Sequence, residues 1–72
     1  MITYERFWNT LKEHKISTYV LIHHYDFSSG KIDRLRKNLP ISTVTINDLC
    51  RILDCKIEDI AEYIPSDKDQ KL

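Results

Sequence analysis

Apolar residues recur along the chain at helical intervals, separated by short polar stretches. Tyr4, Phe7, Trp8 and Leu11 stand at i, i+3, i+4 and i+7, the stripe of a helix that buries one face. This predicts a first helix from Thr3 to Lys12, with Thr3 as N-cap, Phe7 and Leu11 in the core and Trp8 closing its edge. Glu13 to Ile16 reads as a connection, with Ile16 placed as a staple residue ahead of the Ser17 cap. Leu21, Ile22 and Tyr25 share a face, so a second helix is predicted from about Thr18 to Tyr25. Asp26-Phe27 is too short for anything but a turn. Ile32 and Leu35 then mark a third helix from Ser29 to about Lys37, capped by Ser28. Pro40 disfavours helix for the residue before it, so Asn38 to Ile41 is a break. Ile46, Leu49, Cys50 and Leu53 repeat the helical spacing and predict a fourth helix, starting between Ser42 and Thr45 and ending at Asp54. Ile57, Ile60 and Ile64 facing inward, with Glu58, Asp59 and Glu62 outward, predict a short fifth helix that Pro65 stops. Residues 66–72, SDKDQKL, show no periodicity and read as a mobile tail.

The expected fold is therefore all-α: one compact five-helix domain over residues 1–65, followed by a tail. A length of 72 residues allows a single domain. One Gly and two Pro argue against disorder and against an all-β chain rich in turns. So small a core needs good helix packing, a staple or a partner.

The second and third helices are the stretch that points to function. The outward positions of the third are Ser29, Gly30, Lys31, Arg34 and Lys37: small, polar or basic, so that the helix can lie in a groove. Two helices joined by a tight turn, the second with such a face, are the layout of a helix-turn-helix that enters the major groove of DNA. Net charge is zero, but its distribution is uneven. Met1 to Arg51 carries +3 and Ile52 to Leu72 carries −3, and Lys31 to Lys37 holds four basic residues to one acidic. The start of the second helix, Ser17 and Thr18, presents free backbone N–H groups suited to a phosphate. Ser17 serves equally as a plain cap, and both roles can hold.

Counting from Ser17, apolar residues fall four, five, eight, ten, fifteen and eighteen places on, with the turn residue Asp26 at nine and the cap Ser28 at eleven. This register resembles the DNA-binding domains of the phage repressor and Cro family, also called the Xre family. The resemblance spans roughly Tyr4 to Ile64, and the later segment LCRILDCKIEDIAEYIP resembles the domain's end in a small bacterial single-domain branch. Two positions depart from the family pattern. Ile22 stands where a small residue is usual, which implies slightly wider helix spacing. Asp26 stands where glycine is usual, and Asp tolerates the positive φ such a turn needs.

The resemblance implies a lambda-repressor-like fold whose third helix reads DNA. In the family the first, second and sixth residues of that helix face base edges, here Ser29, Gly30 and Arg34, with Ser28 beside them. Arg34 carries most of the direct readout, because its planar fork can grip guanine O6 and N7. Lys31 reaches a base or a phosphate, and Arg36, Lys37 and Asn38 look like backbone anchors. Asp33 can pair with Lys37 at i+4. The function implied is a sequence-specific duplex-DNA-binding transcriptional regulator, a repressor in the first instance. A lone domain makes few phosphate contacts, so a homodimer on a two-fold site is expected. Leftover apolar groups of the fifth helix, with Tyr63 or Tyr4, are candidates for its interface.

Other chemistry finds little footing. His14, His23, His24, Cys50 and Cys55 match no zinc spacing, so no metal or cofactor is expected, and the cysteines read as small buried free thiols. No phosphate loop or catalytic constellation is present, so an enzyme is not expected. No apolar run is long enough to cross a membrane and no signal-peptide pattern occurs, which predicts a cytoplasmic protein without membrane partners. The rival reading is a protein-interaction or antitoxin-like module on the same fold. It would bind DNA weakly and take a protein partner through the acidic C-terminal part.

Overall fold

Three serines start three of the helices. Ser17 Oγ accepts the Val20 N–H at 3.2 Å, Ser28 Oγ that of Lys31 at 3.1 Å, and Ser42 Oγ that of Thr45 at 3.1 Å. Each satisfies a backbone donor that the first turn leaves unpaired, at about 1 kcal/mol apiece. The helices they open are α2 (Thr18–His23), α3 (Ser29–Arg36) and α4 (Thr43–Leu53). Helix α1 (Glu5–His14) precedes them and starts at Tyr4 without a side-chain cap. The computed structural model describes residues 1–72. It adds a single 3-10 turn, Ile57–Asp59, and a two-stranded antiparallel sheet of β1 (Ile2–Thr3) and β2 (Glu62–Tyr63).

The helices also end alike. Lys15, Asn38 and Asp54 follow α1, α3 and α4 with φ of 56, 55 and 48°. Beyond each, the next N–H returns five residues: Ile16 to Leu11, Leu39 to Arg34 and Cys55 to Cys50, at 3.1, 2.9 and 3.1 Å. This left-handed exit satisfies carbonyls the last turn would leave open. Helix α2 leaves one residue wider. Asp26 takes φ 57°, as its substitution for glycine predicts, and the Phe27 N–H returns to the Leu21 carbonyl at 2.9 Å. That return ends α2 at His23 rather than Tyr25. It leaves Tyr25 exposed and sends Phe27 into the core in its place.

The core joins all four helices: Tyr4, Phe7 and Leu11 from the α1 region, Leu21 and Phe27, Ile32 and Leu35, Leu49 and Leu53, and Ile60. Ile22 packs half-buried at the edge of this cluster. Trp8 closes another edge, its ring meeting Phe7 edge-on at 4.9 Å.

The predicted fifth helix does not form, so the all-α expectation of five helices becomes four. Only Ile57–Asp59 is helical, as a 3-10 turn whose Asp59 carboxylate accepts the Lys56 N–H at 3.0 Å. The segment after it is drawn out into β2, with Tyr63 opposite Ile2 and Glu62 opposite Thr3. The Ile64 N–H then bonds the Met1 carbonyl at 2.8 Å. Ile60 is fully buried as expected, but Ile57 and Ile64 are exposed. The same pairing claims Thr3, which is a strand residue and not the cap of α1. Arg6 fastens the corner, its Nε 2.8 Å from Glu62 Oε2, and Thr10 Oγ1 donates to the Asp59 carbonyl at 2.8 Å. Tyr4, a candidate for a dimer face, is buried and unavailable to a partner. Cys50 and Cys55 are free and only half-buried.

Candidate nucleic-acid interface

Helix α2, the bend through Asp26 and Phe27, and helix α3 carry the sequence-predicted residues. Ser17 is exposed and Thr18 half-buried at the start of α2; Ser28, Ser29, Gly30, Lys31, Arg34 and Lys37 are all exposed along α3 and its cap. The opposite side of α3 is anchored by Ile32 and Leu35, both buried. The helix is therefore held by its apolar face and offers its polar one to solvent.

The cations of α3 are each engaged within the chain. Lys31 Nζ lies 5.4 Å from the Phe27 ring centroid, and the Arg36 guanidinium 5.4 Å from that of Trp8. Lys37 Nζ pairs with Asp33 Oδ2 at 3.0 Å, the i, i+4 bridge that the spacing predicts. Arg34 Nε donates to the Pro40 carbonyl at 2.7 Å. All four cations are exposed, so these contacts are weak and exchangeable. They set the starting direction of each charge and leave it available to an anion.

Asn38 differs from the other eight candidate residues. It is the left-handed residue after α3, and its Oδ1 accepts the Tyr4 backbone N–H at 3.0 Å. The Tyr4 hydroxyl donates to the neighbouring Leu39 carbonyl at 2.8 Å. Two bonds from one residue thus pin the loop that follows α3. Burial pushes the Tyr4 phenol above its usual range, opposed by the Ile41 backbone and the Arg34 charge. Sequence reasoning placed Tyr4 on the inward stripe of α1, but nothing in that stripe points to its hold on residues 38 and 39. Also unmarked by the sequence is Tyr19 on α2, which is exposed and stacks with His23 at 4.2 Å.

The largest concavity, about 650 Å³, lies elsewhere, among Ile2, Tyr4, Ile41, Ile46, Ile57 and Tyr63. No three His, Cys, Asp or Glu side chains converge as a metal site would require. No helix is long and apolar enough to cross a membrane.

A capped helix, a bend at a left-handed residue and a second capped helix with a polar outer face define a helix-turn-helix protein. A family model for the Cro/C1-type helix-turn-helix DNA-binding domain matches residues 6–66, and the chain belongs to that family. Among solved structures it is similar to the crystal structure of the transcriptional regulator VanUg. The TM-score is 0.81 at 25% identity, over 90% of this chain and 87% of that one. No curated protein matches.

Proposed function

We propose that the chain is a transcriptional regulator that lays α3 in the major groove of duplex DNA and acts as a repressor by occupying promoter sequence. The observation that carries this is the outer face of α3, where Ser29, Gly30, Lys31, Arg34 and Lys37 are all exposed in one helix directly after the turn. In this reading Arg34 meets a guanine edge and Lys31 a base or phosphate. Lys37 and the start of α2, Ser17 and Thr18, meet phosphates. Similarity to a transcriptional regulator supports the reading. The active form is a homodimer on a two-fold site. We place its contact on the face of Ile2, Ile57 and Tyr63, which are 48, 66 and 65% exposed.

One observation favours a second reading. The net charge is zero and every cation of α3 already has a partner within the chain, which suits an interaction module with little affinity for DNA.

Fluorescence anisotropy of a labelled random-sequence duplex pool, titrated at several salt concentrations, separates the two. The regulator binds with a steep negative slope of log K against log salt, and sedimentation of the complex gives two protomers per site. A folded, helical sample that binds no duplex at low salt is the interaction module.

A further inference from the structure

The chain contains one glycine, Gly30. Four of its residues, Lys15, Asp26, Asn38 and Asp54, hold positive φ, and none of them is glycine. Those are the positions where glycine is favoured, because a Cβ is crowded there. Gly30 instead stands second in α3, and its φ is not positive. In a helix only proline is less favourable than glycine. Packing does not ask for it either. A Cβ built on Gly30 would meet only Ser28 Oγ, at 3.6 Å, an ordinary van der Waals contact, and the residue is exposed. Neither the backbone nor the interior accounts for the missing side chain. The space it leaves is on the outside, on the face that α3 offers to DNA.

We infer that Gly30 sets base specificity by seating its bare Cα against the C5-methyl group of a thymine in the major groove. This rests on the proposed reading of α3 as the DNA reader. Glycine has no side-chain donor or acceptor, so it cannot pair with the polar groups of a base edge. It offers an apolar contact and room for about one methyl group. Among the groups displayed in the major groove, the thymine methyl is the apolar one. Ser29 and Arg34 supply hydrogen bonding on either side, and Gly30 supplies the recess between them. The base pair opposite Gly30 is then a T·A pair.

The test exchanges methyl groups between the two partners. The parent protein selects its site from the random pool, and each thymine of that site is replaced in turn by deoxyuridine, which lacks only the methyl. Gly30→Ala adds one methyl on the protein side. At one thymine the parent loses about fourfold on the deoxyuridine duplex, the worth of one buried methyl. Gly30→Ala binds the thymine duplex about tenfold more weakly, from overpacking. On the deoxyuridine duplex it returns to within about threefold of the parent on thymine. Its thermal midpoint rises, since alanine favours the helix, so its loss of binding is not unfolding. The inference is overturned if Gly30→Ala binds as well as the parent. It is equally overturned if the variant loses the same factor on thymine and deoxyuridine duplexes at every position, which marks a close approach to sugar or phosphate. A flat titration of the parent at low salt is a different failure, that of α3 as the DNA reader, and the inference falls with it.

Discussion

Arg34 Nε donates to the carbonyl of Pro40 at 2.7 Å, so the base-reading candidate of α3 is tied to the loop that leaves α3. Its two Nη groups form no hydrogen bond or ion pair within the chain. Arg34→Ala is expected to lose about 1–3 kcal/mol on the cognate duplex and to relax preference at one base pair. Arg34→Lys does not restore it, since lysine has neither the Nε–H nor the planar fork. Competition anisotropy on cognate and random duplexes measures both. Unchanged cognate binding by Arg34→Ala would remove it from the interface.

The hold of Tyr4 on residues 38 and 39 is a stability device. Tyr4→Phe, which removes the donor to the Leu39 carbonyl, is expected to cost about 1 kcal/mol. Asn38→Ala loses the acceptor of the Tyr4 amide and strains a backbone at φ 55°. It should cost more, about 1–3 kcal/mol. Asn38→Asp keeps both the acceptor and the tolerance of that backbone, and stays close to the parent. Urea unfolding orders the three variants. Equal midpoints for Asn38→Ala and the parent would mean that its bond to the Tyr4 amide contributes nothing to stability.

Lys37 is exposed and paired only with Asp33. Lys37→Ala should weaken binding to all sequences alike and lower the salt slope by roughly one unit. Asp33→Asn frees the ammonium and should strengthen non-specific binding. Both are read from titrations on a duplex lacking the selected site. A Lys37→Ala loss confined to the cognate site would place this lysine on a base instead.

Lys15 holds φ 56° after α1 with a Cβ that crowds this conformation. Lys15→Gly is expected to stabilise by about 1 kcal/mol, raising the thermal midpoint by about 4–8 °C. Scanning calorimetry gives the answer directly, and a lowered midpoint would mean that the lysine side chain contributes more than its backbone costs.

Alkaline pH should lower the stability of the protein through Cys55. Burial first, then the neighbouring Cys50, pushes its thiol up to about 11. A group held higher in the folded state keeps its proton while the unfolded chain releases it. Its stabilisation is therefore whole below the ordinary value of 9.0 and is lost as pH rises from there through about 11. Cys55→Ala should flatten that part of the stability profile, as followed by urea midpoints from neutral to alkaline pH. Cys55 should also alkylate slowly near neutrality, where almost none of it is thiolate. Rapid alkylation of Cys55 in the folded protein at neutral pH would contradict the raised value.

The four helices were legible because their signals are local. Ser17, Ser28 and Ser42 each precede the helix they cap, and each apolar stripe lies within eleven residues. Asp26 was legible too, since a turn that wants glycine restricts its substitutes. The end of the chain was not. Ile57, Ile60 and Ile64 fit a helical stripe, but what decides their conformation is pairing with Ile2 and Thr3, some sixty residues away, and no local period carries that. In the candidate interface the exposure of Ser29, Gly30 and Lys31 follows from the pattern of α3. The partners of Arg36 and Asn38 do not, because Trp8 and Tyr4 meet them only through the tertiary fold.

The β1–β2 ladder is where the first and last strands of the chain meet. Helices nucleate from neighbours in sequence, whereas this ladder must close a loop of nearly the whole domain. It is therefore expected to zip late in folding, and two residues per strand should make it an early place to fray. Thr3 in that ladder adjoins Tyr4, whose amide and hydroxyl hold Asn38 and Leu39. Fraying at the ends of the chain is therefore expected to slacken the loop after α3, so that the ladder would act as a buckle whose opening is felt at that helix.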